Sequence, residues 1–145
     1  MLIIGCGNAQ RGDDAAGIMA ANRLRLLGVS AQICCGEPSE LIEMWKDADD
    51  VIVIDAVITG ASTGSVHVWD ARRPLKLGKS LGFTHGLGPA EAIELSRTLG
   101  SLPGNIRVFG IEGWSFALGS EVSPSVAKGV ELVIQEIFRE LNKQS

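Results

Sequence analysis

The chain has 145 residues, of which 46% are hydrophobic and 21% are charged, and its formal net charge is −4 at pH 7. This length and composition are typical of one globular domain, and we expect a single domain over residues 1–145. The acidic balance excludes the basic footprint of a nucleic-acid-binding protein. No apolar run approaches the ~20 residues that a membrane span needs, and no signal peptide is recognisable, so we expect a cytoplasmic protein without a membrane partner.

The three cysteines support the same compartment. Cys6, Cys34 and Cys35 form no Cys-x-x-Cys pair, and an odd number of cysteines is typical of reduced thiols in the cytoplasm. We expect all three to be small buried side chains on strands.

The first third of the chain is predicted to begin with a strand, a glycine turn and a helix. A short apolar strand at residues 2–4 is broken by glycines at positions 5 and 7, and a helix is predicted from Asp13 or Asp14 to Leu27. Gly28 suits the end of that helix. A second strand is predicted at residues 29–35, followed by a turn at 36–39 and a short helix at 40–46.

The rest of the chain continues the alternation. Residues 51–54 form an unbroken β-branched run, which indicates a central parallel strand, and this run ends in Asp55. Residues 66–69 alternate like an edge strand, and residues 106–110 form a further strand. Helices are predicted from Pro89 to Leu99 and from Ser123-Pro124 to about residue 142. We therefore expect an α/β fold, a single three-layer α/β/α domain whose mainly parallel twisted sheet carries helices on both faces.

Three residues distant in sequence stand out as candidate ligands. Asp14, Asp55 and His85 each lie in or beside a loop that this topology brings to the end of the sheet where the parallel strands terminate. Two carboxylates and an imidazole with open coordination positions suit Zn(II), Ni(II) or a similar divalent ion.

Simpler interpretations of these and nearby residues remain open. Asp14 suits a helix N-terminus, and Asp55 suits a turn at the end of a strand. His67 lies in the alternating segment, which favours an exposed or structural histidine. Glu112 either supports the site or a nearby turn, or is simply solvated.

A nucleotide-binding module is the main rival from another functional class. Gly5 and Gly7 follow a strand, and Glu37 lies roughly where a ribose-binding acid would be expected. However, Asp13 and Asp14 occupy the helix N-terminus that would hold the phosphate, and they would repel it and attract a cation.

Five motifs occur in order along the chain and resemble those of the hydrogenase maturation proteases. They are GCGN with RGDD at residues 5–8 and 11–14, VIDAV at 53–57, THG at 84–86, GIE at 110–112 and VSP at 122–124. The chain departs from the usual pattern at Ala15, where most members have glycine, and at Phe83, where serine or threonine is common. Neither change removes a candidate ligand. The segments at 35–37, 90–95 and 102–103 are most similar to members that serve bidirectional, NAD-linked hydrogenases.

The resemblance implies an endopeptidase that removes the C-terminal extension of the nickel–iron hydrogenase large-subunit precursor after nickel insertion. It implies that Asp14, Asp55 and His85 form the metal-binding and catalytic site, and that the nickel belongs to the substrate. Zinc or cadmium could replace it in crystals. Both a metal-dependent and an aspartyl-type mechanism remain open, and a non-catalytic nickel or assembly factor for hydrogenase is the remaining alternative.

Overall fold

The computed structural model describes residues 1–72 and 88–144. The strands are β1 (Leu2–Cys6), β2 (Gln32–Cys34), β3 (Asp50–Val57), β4 (Val66–Asp70) and β5 (Asn105–Glu112). The helices are α1 (Ala16–Leu26), α2 (Pro38–Trp45), α3 (Gly88–Leu99) and α4 (Pro124–Gln144), and a short 3-10 helix (Gly12–Ala15) precedes α1.

The five strands form one sheet in the order β2-β1-β3-β5-β4. Strand β1 pairs in parallel with β2 and β3, and β3 pairs in parallel with β5. Strand β4 runs antiparallel to β5 at the edge of the sheet. The expected mainly parallel sheet and its half-exposed edge strand are therefore confirmed. We call the end at which β1, β2, β3 and β5 terminate the carboxyl end of the sheet.

Both faces of the sheet are covered by helices, as the sequence predicts. On β3, Ile52 and Ile54 belong to the core cluster shared with α1 and α4. Val51 and Val53 belong to a second cluster shared with α2 and α3. Because side chains alternate along a strand, Asp55 lies on the α2–α3 face.

Helix α1 packs directly on the sheet through its backbone. A Cβ atom added to Gly17 would lie 2.3 Å from the carbonyl oxygens of both Cys6 and Ile54. A Cβ atom added to Gly5 would lie 2.1 Å from the carbonyl oxygen of Gly17. This glycine–glycine contact holds the start of α1, and the 3-10 turn before it, against β1 and β3.

Several predicted boundaries differ from the structure. The first turn at Gly12–Ala15 is a 3-10 helix, and α1 begins only at Ala16. Strand β2 covers only Gln32–Cys34, because its ladder with β1 extends over three residue pairs. Strand β3 runs on to Val57, so Asp55 lies within the strand and does not end it.

Helix α2 begins earlier than predicted. Pro38 occupies the first turn, and the Glu37 carboxylate accepts a hydrogen bond from the Glu40 N–H at 3.2 Å as the N-cap. The turn residues therefore start the helix, since proline is tolerated where no N–H partner is needed.

The cysteine prediction is correct for two of the three residues. Cys6 and Cys34 are buried, but Cys35 is exposed, so the expectation for Cys35 is wrong. Cys35 lies just beyond the end of β2, where the chain leaves the sheet. All three thiols are free. Within the described ranges, no helix combines the length and the apolar character that crossing a membrane would require.

Candidate active site

The loop after β1 carries Asp14 to the carboxyl end of the sheet. Gly7 has a φ of +146°, and its N–H donates to the carbonyl oxygen of Cys34 at 3.1 Å. The loop closes where the Asn8 N–H donates to the carbonyl oxygen of Asp14 at 3.2 Å. A Cβ atom on Gly7 would lie 2.0 Å from that same oxygen, so only glycine permits this closure. The closed loop leaves Asp14 buried, with 1% of its surface exposed.

Asp55 lies on the central strand and is completely buried. Its Oδ1 atom accepts a hydrogen bond from the Ala56 N–H at 2.8 Å. The neighbouring strand places Cys6 close enough for the charge of Asp55 to affect it. The hydrogen bond of Cys6 to Cys34, then burial, then the negative charge of Asp55 raise the pKa of the Cys6 thiol well above its usual value. Cys6 is therefore a protonated thiol and a poor nucleophile.

Asp14 and Asp55 belong to elements that touch each other. The 3-10 helix carrying Asp14 contacts β3, and both residues lie near the carboxyl end of the sheet. His85 lies outside the described residues, so the three-residue site stays a prediction. Within residues 1–72 and 88–144, no group of three His, Cys, Asp or Glu side chains could hold a metal ion.

Helix α3 also begins at the carboxyl end of the sheet. The Arg97 guanidinium in its last turn donates to the carbonyl oxygen of Ala71, which follows the end of β4. Because β4 is antiparallel to β5, Ala71 lies at the opposite, amino end. The first residue of α3, Gly88, is therefore at the end where Asp14 and Asp55 lie.

Asp13 is a buried structural carboxylate that does not cap the helix. Its side chain accepts hydrogen bonds from the N–H groups of Trp114 (2.7 Å), Ser115 (3.0 Å) and Ser123 (2.6 Å), and from the Ser123 hydroxyl (2.8 Å). Burial alone raises the pKa of Asp13, but the bonds from Ser123, Trp114 and Ser115 outweigh it and lower the pKa below its usual value. Asp13 thus binds the loop after β5 as a charged group.

Glu112 is a second buried carboxylate with a structural role, so the solvated interpretation is wrong. Only 2% of Glu112 is exposed. It accepts hydrogen bonds from the N–H (2.8 Å) and hydroxyl (2.5 Å) of Thr59 and from the Gly60 N–H (3.3 Å). The His67 Nε2 atom lies 3.1 Å away. Burial raises the pKa of Glu112, but the bonds from Thr59, His67 and Gly60 lower it overall.

His67 fits the structural alternative. Its ring pairs with Glu112 and stacks on Trp69, with ring centroids 5.5 Å apart. Glu37, the residue on which the nucleotide-binding alternative depends, is engaged in capping α2. Sequence patterns could not reveal the roles of Asp13 and Glu112, because their partners lie about 50 to 110 residues away.

Comparison with known proteins identifies the family. The family model described as HycI, hydrogenase maturation protease, matches residues 36–140, which is more than half of the chain. The chain belongs to the hydrogenase maturation protease family. This is a family of endopeptidases that cleave the C-terminal extension of hydrogenase large subunits. The resemblance inferred from the sequence motifs is therefore confirmed.

Solved structures of the hydrogenase maturation protease family share the fold. HycI from Thermococcus kodakarensis KOD1 is 28% identical, with a TM-score of 0.74 over 94% of this chain and 88% of that one. The maturating endopeptidase HybD from E. coli is 21% identical, with a TM-score of 0.81 over 99% and 93%. HybD from Thermococcus kodakarensis is 23% identical, with a TM-score of 0.76 over 97% of both chains. No curated protein matches the chain.

Proposed function

We propose that this chain removes the C-terminal extension of a nickel–iron hydrogenase large-subunit precursor, and that Asp14, Asp55 and His85 engage the nickel centre of that substrate. Membership of a family of endopeptidases supports the reaction. The observation that carries the site is the burial of two carboxylates, Asp14 and Asp55, on touching elements at the carboxyl end of the sheet.

Two carboxylates at the same end of the sheet suit the binding of a cation. Asp14 and Asp55 lie there on elements that touch each other. Carboxylate oxygens are suitable ligands for a divalent metal, and the attraction of opposite charges would strengthen the docking of a substrate that carries one. The same site would therefore favour a nickel-loaded precursor over a nickel-free one.

His85 supports the proposal through its position in the sequence. It lies three residues before Gly88, the first residue of α3. In the sequence, His85 therefore directly precedes a helix that begins at the carboxyl end of the sheet.

The chemistry requires a polarised peptide carbonyl and an attacking water. Nickel in the substrate would supply Lewis acidity to the carbonyl. A carboxylate of Asp14 or Asp55 would either bind that nickel or accept the proton of the water as a general base. The raised pKa of the Cys6 thiol and its burial argue against a covalent route through Cys6.

The test uses Asp55→Asn, which keeps the size of the side chain and removes its charge. A nickel-loaded large-subunit precursor is incubated with each enzyme, and the mass of its C-terminus is followed over time. The large subunit of a bidirectional, NAD-linked hydrogenase is the first precursor to test. We expect processing by Asp55→Asn to fall at least about 100-fold, as when a general base or a metal ligand is lost.

His67→Gln is the matched control, because glutamine can still donate to Glu112 in place of the ring. It should process the precursor at the wild-type rate. Binding of nickel-loaded and nickel-free precursor then separates the two roles of Asp55. A ligand role predicts that Asp55→Asn loses the preference for nickel, whereas a base role predicts that it binds normally and fails to cleave.

Two results would overturn the proposal. If Asp55→Asn processes the precursor at the wild-type rate, Asp55 has no part in the mechanism. If the wild-type chain binds the precursor and leaves its extension intact, the chain is an assembly factor and not the protease.

A further inference from the structure

A large aromatic side chain stands in solvent at the carboxyl end of the sheet. Trp114, two residues beyond β5, is 80% exposed, and Leu118 in the same loop is 69% exposed. Tryptophan is among the residues enriched at the energetic centre of protein–protein interfaces, so an exposed tryptophan at this end is a candidate contact for another protein.

The backbone beneath Trp114 is held firmly. The Trp114 N–H donates to the Asp13 carboxylate at 2.7 Å, and the Asp13 N–H donates to the carbonyl oxygen of Ser115 at 2.9 Å. Further along the loop, the Gly119 N–H donates to the carbonyl oxygen of Gln10 at 2.8 Å. The loop after β5 and the loop after β1 therefore form one hydrogen-bonded unit. The backbone of Trp114 is thereby held close to Asp14, the residue next to Asp13.

An apolar groove adjoins the same unit. Its volume is about 350 Å³, and it lies along the exposed side of α1. Ala15, which follows Asp14, and Val122, which precedes Ser123, are at its border. The other lining residues are Ala9, Ile18, Met19, Asn22, Arg23 and Leu26. Trp114 and this groove together are called the recognition surface below.

We propose that the recognition surface binds an apolar segment of the precursor polypeptide, and that Asp13 is the positioning residue that fixes Trp114 beside Asp14. This inference rests on the proposed function. The substrate is the favoured occupant because the Trp114 N–H is bonded to Asp13, the neighbour of the candidate site residue Asp14, so a polypeptide bound at Trp114 lies beside the proposed cleavage site.

The fixed backbone explains how one tryptophan could contribute much of the affinity. Binding costs entropy when loops and side chains must be ordered, and a loop already held by a buried charge avoids most of that cost. Truncating a residue that is the energetic hot spot of an interface weakens binding about 30-fold or more.

The first test is Trp114→Ala with the nickel-loaded precursor. We expect KM to rise about 30-fold while kcat changes less than about twofold, because the side chain contacts substrate away from the reacting bond. Trp114→Phe should restore most of the affinity. Leu99→Ala is the control, since Leu99 is 64% exposed at the end of α3, at the amino end of the sheet. An unchanged KM for Trp114→Ala, or an equal rise for Leu99→Ala, would overturn the inference.

The role of Asp13 is tested by a double-mutant cycle with Asp13→Asn. If Asp13 acts by positioning Trp114, Asp13→Asn should raise KM in the wild-type background and have little further effect in Trp114→Ala. A merely structural role predicts the same loss in both backgrounds, and that result would refute the assignment. Trp114→Ala alters only an exposed side chain, so it keeps the test valid even if Asp13→Asn folds poorly.

The outcomes separate the two proposals. A wild-type chain that cleaves no precursor contradicts the proposed function. A wild-type chain that cleaves normally, together with Trp114→Ala of equal KM, contradicts only the recognition surface. A second copy of the chain is the other possible occupant, and sedimentation of the wild type and of Trp114→Ala tests for it. If the wild type is a dimer and Trp114→Ala is a monomer, the surface binds a second copy and the inference is overturned.

Discussion

The two buried structural carboxylates should respond differently to the same chemical change. Asp13→Asn and Glu112→Gln each replace one oxygen with an NH₂ group and remove a charge. Three of the four donors to Asp13 are backbone N–H groups, which cannot accept a hydrogen bond. With the Asn oxygen facing Trp114 and Ser115, its NH₂ group must face the Ser123 N–H, originally 2.6 Å from the carboxylate.

The partners of Glu112 are more adaptable. The Gln oxygen can retain the N–H groups of Thr59 and Gly60, while its NH₂ group faces the Thr59 hydroxyl and the His67 ring. A hydroxyl and a neutral imidazole nitrogen can each accept a hydrogen bond. The Gln side chain therefore creates no clash between donors.

These geometries give different costs in the free energy of unfolding. In Asp13→Asn, the half-buried Ser123 N–H faces the NH₂ group of the new side chain and loses its acceptor. The other three hydrogen bonds lose their charge assistance. Together these two effects lower the free energy of unfolding by about 3 kcal/mol. Glu112→Gln loses only charge assistance, at about 1 kcal/mol. With a urea dependence of roughly 2 kcal/mol per molar, the midpoints should fall by about 1.5 M and about 0.5 M.

Urea unfolding followed by far-UV circular dichroism measures both shifts. Wild-type protein and both variants are compared at pH 7 in the same buffer. Equal losses for the two variants, or a larger loss for Glu112→Gln, would refute the argument that the donor-only partners of Asp13 decide the cost.

The remaining predictions concern pH and one glycine. Folding lowers the pKa of Asp13 and of Glu112 from unfolded values of about 4. The stability that these two carboxylates add to the fold is therefore complete above that pH, and it is lost as the pH falls through their folded pKa values. Urea midpoints should therefore drop below about pH 4, and less steeply in the double variant Asp13→Asn/Glu112→Gln. Gly7→Ala should lower the free energy of unfolding by more than about 3 kcal/mol, since its Cβ would overlap the Asp14 carbonyl oxygen. Gly28→Ala, with a φ of +85° and open space around it, should cost only about 1 kcal/mol, and equal losses in thermal unfolding would contradict this reasoning.

The architecture could be predicted because its signals are local. The apolar run at residues 51–54 identifies the central strand, and Pro89 and Pro124 mark the starts of α3 and α4. The strand boundaries that differ from the prediction are decided by hydrogen bonding between strands. Strand β2 extends only as far as its ladder with β1, and β3 extends as far as its ladder with β5.

The candidate site could be predicted only in part. Asp14 and Asp55 could be assigned to the carboxyl end from topology alone. The anchoring role of Asp13 could not, because nothing near it in sequence indicates that its carboxylate meets Trp114 and Ser123. The sequence left the alternatives for Glu112 open for the same reason, since its burial and its support of the turn at Thr59 and Gly60 depend on the loop after β3 folding back over it.

The contact between Gly5 and Gly17 has a consequence for how this protein can change. At this contact the backbones of α1 and the sheet touch without a side chain between them, so no substitution could bring them closer together. Any larger residue at either position would push the helix outward and carry Asp14 away from Asp55. Substitution at these two positions is therefore excluded, because no smaller residue exists and every larger one would displace α1. Variation in substrate preference should instead accumulate on the outer side of α1 and in the loop after β5, where side chains can vary without moving that contact.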